Sequence, residues 1–229
     1  MKFGESRIRL KHLNPDSQVH VLIGPNGSGK SMSLKELETE IDKTYNGGHS
    51  SYFNNPFVRA LMNEDDNKEI TRPIISYKTH QDDALRNNIN FDVGKLMTAF
   101  RSEGERMDDS FAYWVADNFV PFLNKYKPKE YYMLLDELDS GLSFDRISLQ
   151  LLQLRCIINN EEEKFNRKVH IILTANSYEL LEVVQKSFDK VSVYWVPTRK
   201  EIQVDSYNKF RGLYKSRYKS LLKEIEEEN

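Results

Sequence analysis

The sequence predicts an α/β fold, a largely parallel sheet covered by helices, with a small helical insertion. Three observations predict it. Apolar runs of strand length at Val19–Ile23, Tyr131–Leu135, Val169–Thr174 and Val191–Val196 alternate with segments of helical periodicity. The first run passes into a glycine loop, Gly24-Pro25-Asn26-Gly27-Ser28-Gly29-Lys30-Ser31, which opens a helix-forming stretch. The second ends in a pair of acids, Asp136-Glu137, as a strand buried on both faces does where it leaves the sheet. At 229 residues the chain is long enough for one such domain with a modest lobe, so a single domain is expected over 1–229.

In chain order, Ile8 and Leu10 alternate with charged neighbours, which predicts a half-buried strand over Arg7 to Lys11. Asn14-Pro15-Asp16-Ser17 is a turn before the first apolar run, giving a hairpin-like entry. Leu34, Leu37 and Ile41 share one face of a helix that stops near Tyr45-Asn46-Gly47-Gly48. Residues 46–130 are expected to form an insertion and helical lobe. Its first part is rich in Asn, Ser, Gly and acid, Ile74–Tyr77 is a short strand, and Val93 to Phe100 is helical. Phe111, Trp114, Val115, Phe119, Phe122 and Leu123 mark a buried helical face, with Pro121 bending or ending that helix. Ile147 to Ile158 is a helix followed by polar Asn159 to Lys164; Leu180 to Phe188 is another; Pro197 closes the last strand. From Ser206 to Asn229 apolar residues recur at helical intervals, so C-terminal helices are expected there. The closing acids oppose the helix dipole and favour fraying.

Net charge is −2 with both signs abundant, which excludes an overall basic field that would hold nucleic acid non-specifically. The single Cys156 excludes an internal disulfide framework, and no Cys and His cluster has zinc spacing. No apolar core of signal-peptide type follows the first residues, and no apolar run approaches membrane-spanning length. A cytoplasmic protein without direct membrane insertion is therefore expected.

The loop from Gly24 to Ser31 fills every fixed position of the phosphate-binding P-loop pattern, in the strand–loop–helix context that the chemistry requires. Glycines keep side chains away from a phosphate, so the backbone N–H groups and the helix N-terminus converge on the anion. Lys30 can reach the β- and γ-phosphates of ATP, and the Ser31 hydroxyl can ligate Mg²⁺. Asp136 is the natural partner, since adjacent strands present their carboxyl ends together and an acid there holds Mg²⁺ through water. Glu137, one residue on, can polarise an attacking water.

Taken together, these residues resemble the ATP-binding cassette ATPase family. The wording of the loop is similar to that family's Walker A motif. The acidic strand end runs on through Leu138-Asp139-Ser140-Gly141-Leu142, like a Walker B motif followed by a D-loop. Between the two, Ser102-Glu103-Gly104-Glu105 looks like the core of the family's signature motif, whose serine and helix-start N–H groups bind the γ-phosphate held by a second subunit. The resemblance runs from the N-terminal strand to about Val196 and is strongest at the two Walker motifs. It implies a Q-loop glutamine at Gln81, touching Mg²⁺ and the attacking water, and an adenine-stacking aromatic at Phe3. Two positions depart from the family. Its switch histidine falls on Asn176, which can hydrogen-bond a phosphate but cannot carry a proton; slow hydrolysis is the expectation. The usual D-loop aspartate falls on Ser143, with Asp145 two residues on. His170, before the apolar part of its strand, is expected to be structural or exposed rather than a displaced switch.

The resemblance implies an ATPase that closes head-to-tail as a homodimer around two Mg-ATP and opens after hydrolysis. Glutamate in place of glutamine in the signature looks like the non-transporter branch that includes DNA-repair and chromosome-maintenance ATPases, so the expected partner is nucleic acid or another protein. Two alternatives stay open: an ATP-gated binding module that scarcely hydrolyses, and the ATP-binding subunit of a membrane transporter. A P-loop kinase is disfavoured because Asp136-Glu137 points to water as acceptor.

Overall fold

A computed structural model describes residues 7–46, 74–78, 111–126, 129–140 and 142–228. The strands are β1 (Val19–Ile23), β2 (Ile74–Lys78), β3 (Glu130–Asp136), β4 (Lys168–Ala175), β5 (Val191–Trp195) and β6 (Lys200–Ile202). The helices are α1 (Lys30–Asn46), α2 (111–126), α3 (Phe144–Phe165), α4 (Tyr178–Ser187) and α5 (Tyr207–Glu228). One six-stranded sheet runs in the order β2-β3-β4-β1-β5-β6, parallel throughout except for β6, which returns antiparallel along β5. The α/β expectation therefore holds among the described residues.

Alternation along each strand divides the core into two layers. On one face α1 lays Leu34, Leu37 and Ile41 against Leu22, Leu134 and Ile172, with Ile8 and Tyr194 filling the flanks. On the other, Val21, Ile23, Met133, Leu135, Ile171 and Leu173 meet the apolar sides of α2, α3, α4 and α5. The β1–α1 and β4–α4 connections thus leave neighbouring strands for opposite faces. In an open parallel sheet, that divergence opens a crevice at the strands' carboxyl ends.

Several expectations are corrected. No strand forms over Arg7 to Lys11; Leu10–His12 is a 3-10 turn. The alternation there reflects packing on α1, because Ile8 N–H donates to Ser33 Oγ at 3.0 Å and Leu10 N–H to Glu40 Oε2 at 2.7 Å, not to a ladder. The turn at Asn14 is present, with Ser17 N–H on Asn14 O at 3.2 Å. Pro121 does not end α2. A π turn over Val115–Phe119 lies directly before it and admits the ring and its missing donor, and the helix continues to Tyr126. The α3 helix runs through the polar Asn159 to Lys164 and stops where Asn166 turns left-handed, beside the buried Glu161–Arg167 ion pair. The C-terminal segment is one helix, and β6 was not anticipated.

Candidate phosphate-binding site

The site begins with β1, which is buried along its whole length between β4 and β5. At its carboxyl end the chain must turn sharply into α1, and Gly27 (φ 76°) and Gly29 (φ 92°) take the left-handed conformations this requires. Ser28 N–H bonds Pro25 O at 3.0 Å, and Ser33 N–H bonds Gly29 O at 2.8 Å, so the loop leads directly into the helix. The first turn of α1 holds no acidic residue, which leaves its positive end uncompensated by the helix itself.

Lys30, the first residue of α1, is only 7% exposed. Its Nζ donates to Gly24 O at 2.6 Å and to Pro25 O at 3.3 Å. Burial lowers its pKa, and the neighbouring carboxylates Glu137, Asp139 and Asp136 oppose that shift. The ammonium therefore sits folded back on its own loop with three acids nearby.

Asp136 ends β3 and accepts at Oδ1 from two hydroxyls, Ser31 Oγ at 3.2 Å and Thr174 Oγ1 at 2.7 Å. Thr174 Oγ1 in turn accepts Glu137 N–H at 2.8 Å. Here the sequence expectation of adjacent strands is corrected: β4 lies between β1 and β3. Thr174, near the end of β4, holds both members of the acid pair, and Asp136 meets the loop directly through Ser31. Glu137 follows at φ 56°, a left-handed conformation for a residue with a side chain. Asp139 Oδ2 accepts from Asn176 N–H at 2.9 Å and Ser177 N–H at 2.7 Å, which ties the loop after β3 to the loop after β4.

Shielded polar atoms without a hydrogen-bond partner gather at this end of the sheet: Ser28 Oγ, Asp139 Oδ1 and Asn176 Oδ1. Such atoms are costly unless something else satisfies them. From the far side, Tyr214 of α5 donates its hydroxyl to Gly24 O at 3.1 Å. Burial raises its pKa to about 12, so the phenol remains a donor across the physiological range.

Gly24, Pro25, Asn26, Gly27, Ser28, Gly29, Lys30, Ser31, Asp136, Glu137 and Asn176 thus come together from the ends of three strands. Phe3, Gln81, Ser102 and Gly104 lie outside the described residues. His170 is at the opposite end of β4, with Nε2 2.7 Å from Glu130 Oε1 and its ring stacked on Tyr132, so it takes no part in this site. Thr174 and Tyr214 were missed by sequence reasoning, and Asp139 was placed in the D-loop-like stretch without a role of its own. A hydroxyl closing an apolar strand was a usable signal for Thr174; Tyr214 sat unmarked in an apolar helical stripe. A cavity of about 540 Å³ between α4 and the β5–β6 edge is lined by none of the candidate residues.

Among the described residues no cluster of three His, Cys, Asp or Glu side chains could hold a metal alone. The donor set at Ser31 and Asp136 suits a hard cation that keeps waters and shares phosphate oxygens, which is how Mg²⁺ binds. No helix among the described residues is long and apolar enough to cross a membrane. Compared with known protein families and with curated proteins, the chain matches none.

Proposed function

We propose that this chain is a Mg²⁺-dependent ATPase of the P-loop type, similar to the ATP-binding cassette ATPases, whose cycle acts on a nucleic-acid or protein partner. The observation that carries the reading is the convergence of Lys30, Ser31, Asp136 and Glu137, with Ser31 and Asp136 already hydrogen-bonded. The backbone of Gly24–Ser31 cradles the phosphates, and Lys30 turns from Gly24 O to neutralise them. Ser31 would ligate Mg²⁺ directly and Asp136 through water, and the cation would spread charge over the β- and γ-phosphates. Glu137 orients the attacking water and draws its proton as the bond to the γ-phosphorus forms and the bond to the bridging oxygen breaks. Asn176, leaving the strand beside β1, has its shielded Oδ1 without a partner, and its side-chain amide can donate to a phosphate oxygen.

The test is ATP binding and phosphate release by the parent, Lys30→Ala and Glu137→Gln. Expected are binding lost in the first variant and turnover lost with binding kept in the second. Equal ATP binding and hydrolysis by Lys30→Ala and the parent would overturn the proposal. A slowly hydrolysing, ATP-gated binding module is the second reading, favoured by Asn176, which cannot take up a proton where the ATP-binding cassette ATPases that the sequence resembles have histidine. Robust turnover that Glu137→Gln abolishes decides against it.

A further inference from the structure

The carbonyl of Gly24 has two donors of different kinds. Lys30 Nζ lies at 2.6 Å and the Tyr214 hydroxyl at 3.1 Å. Lys30 is the group that must leave this carbonyl if it is to meet a phosphate. Tyr214 has no such alternative use. Its ring is held by Trp195 at 5.3 Å and Phe210 at 4.8 Å between centroids, on a helix far along the chain. The backbone at Gly24 is also closely surrounded: a Cβ there would come within 2.6 Å of Ser28 Oγ and 3.3 Å of Pro197 Cδ. Gly24 itself is buried, so its carbonyl is shielded from water when its lysine departs.

We infer that Tyr214 is a positioning residue of the nucleotide site, holding the Gly24 carbonyl when Lys30 turns to phosphate and so coupling α5 to occupancy of the loop. This rests on the reading of Gly24–Ser31 as a nucleotide phosphate site. In the unliganded loop the carbonyl keeps Lys30 and the hydroxyl is redundant. In the liganded loop the hydroxyl is the partner that remains, and a shielded carbonyl stripped of its donors shifts an equilibrium by about tenfold or more. Linkage makes the effect reciprocal, so phosphate binding tightens the seating of α5 on the loop.

Tyr214→Phe keeps the ring and removes only the donor. The expected result is unliganded stability within about twofold of the parent in the folded-to-unfolded ratio, and Mg-ATP affinity weakened about tenfold. A second measurement needs no nucleotide. In a Lys30→Ala background the carbonyl has already lost its lysine, so adding Tyr214→Phe should lower the folded-to-unfolded ratio about tenfold, far more than in the parent background. ATP binding by Tyr214→Phe equal to that of a parent that does bind overturns this inference alone. Equal stability losses in both backgrounds also overturn it, because a merely structural contact behaves that way. A parent that binds no ATP overturns the phosphate-site reading and this inference with it.

Discussion

Glu137 combines two properties that rarely share a residue: it is the candidate base and it stands at φ 56°. A side chain in that region costs ~1 kcal/mol, which glycine does not incur. The position keeps the strain because Thr174 Oγ1 holds its N–H and Asp136 precedes it in the sheet. Comparing two truncations isolates the backbone term, since both remove the carboxylate. Glu137→Gly should be more stable than Glu137→Ala by ~1 kcal/mol in urea unfolding, the reverse of the usual order, while neither turns over ATP. A more stable alanine variant would mean that the left-handed conformation is not held.

At the scale of elements, the loop after β3 and the start of α4 are joined through one carboxylate. Asp139 accepts both Asn176 N–H and Ser177 N–H, and the Ser177 hydroxyl accepts Leu180 N–H at 3.2 Å as the N-cap of α4. Asp139→Ala leaves two N–H groups at a helix start without their acceptor, and a loss of about 2 kcal/mol is expected. Ser177→Ala should cost ~1 kcal/mol. Thermal unfolding of both variants and their double mutant checks this, with non-additivity expected because the two groups share one helix start. These contacts also mark where sequence reading stops. Parallel strands buried on both faces announce themselves as unbroken apolar runs, so β1, β3, β4 and β5 were legible. The three residues of β6, Lys200–Ile202, are largely exposed and carry no apolar run. Arg7 to Lys11 looked like a strand because packing on a helix can mimic period two. Within the site, contiguous residues such as Lys30 and Ser31 were legible from spacing alone. Thr174 and Tyr214 were not, because their roles depend on which strand lies between which and on where α5 returns.

For the whole molecule, acid stability depends on a buried imidazole under α1. His20 on β1 has its pKa lowered from the ordinary 6.5 to about 4, first by burial and then by the charge of His170. Its folded-state value lies below the unfolded one, so the unfolded chain binds the extra proton. The stability is present above pH 6.5 and is lost as the pH falls toward 4, by about 2 kcal/mol between roughly pH 7 and pH 5. His20→Gln should flatten that part of the urea-unfolding profile relative to the parent, and an unchanged slope would refute the assignment. Assembly is tested at the same scale. If each ATP is shared between two copies, Glu137→Gln should double in solution mass with Mg-ATP and remain monomeric with ADP. A monomer that demonstrably binds ATP would exclude the self-sandwich. The placement of the two tryptophans has a practical consequence. Trp114 is stacked on Phe119 in α2, whereas Trp195 closes β5 against the tyrosine that touches Gly24. Replacing Trp114 with phenylalanine would leave a single indole beside the candidate phosphate loop, and if the loop takes nucleotide as proposed, its emission would serve as a native optical gauge of filling and emptying, with no dye attached.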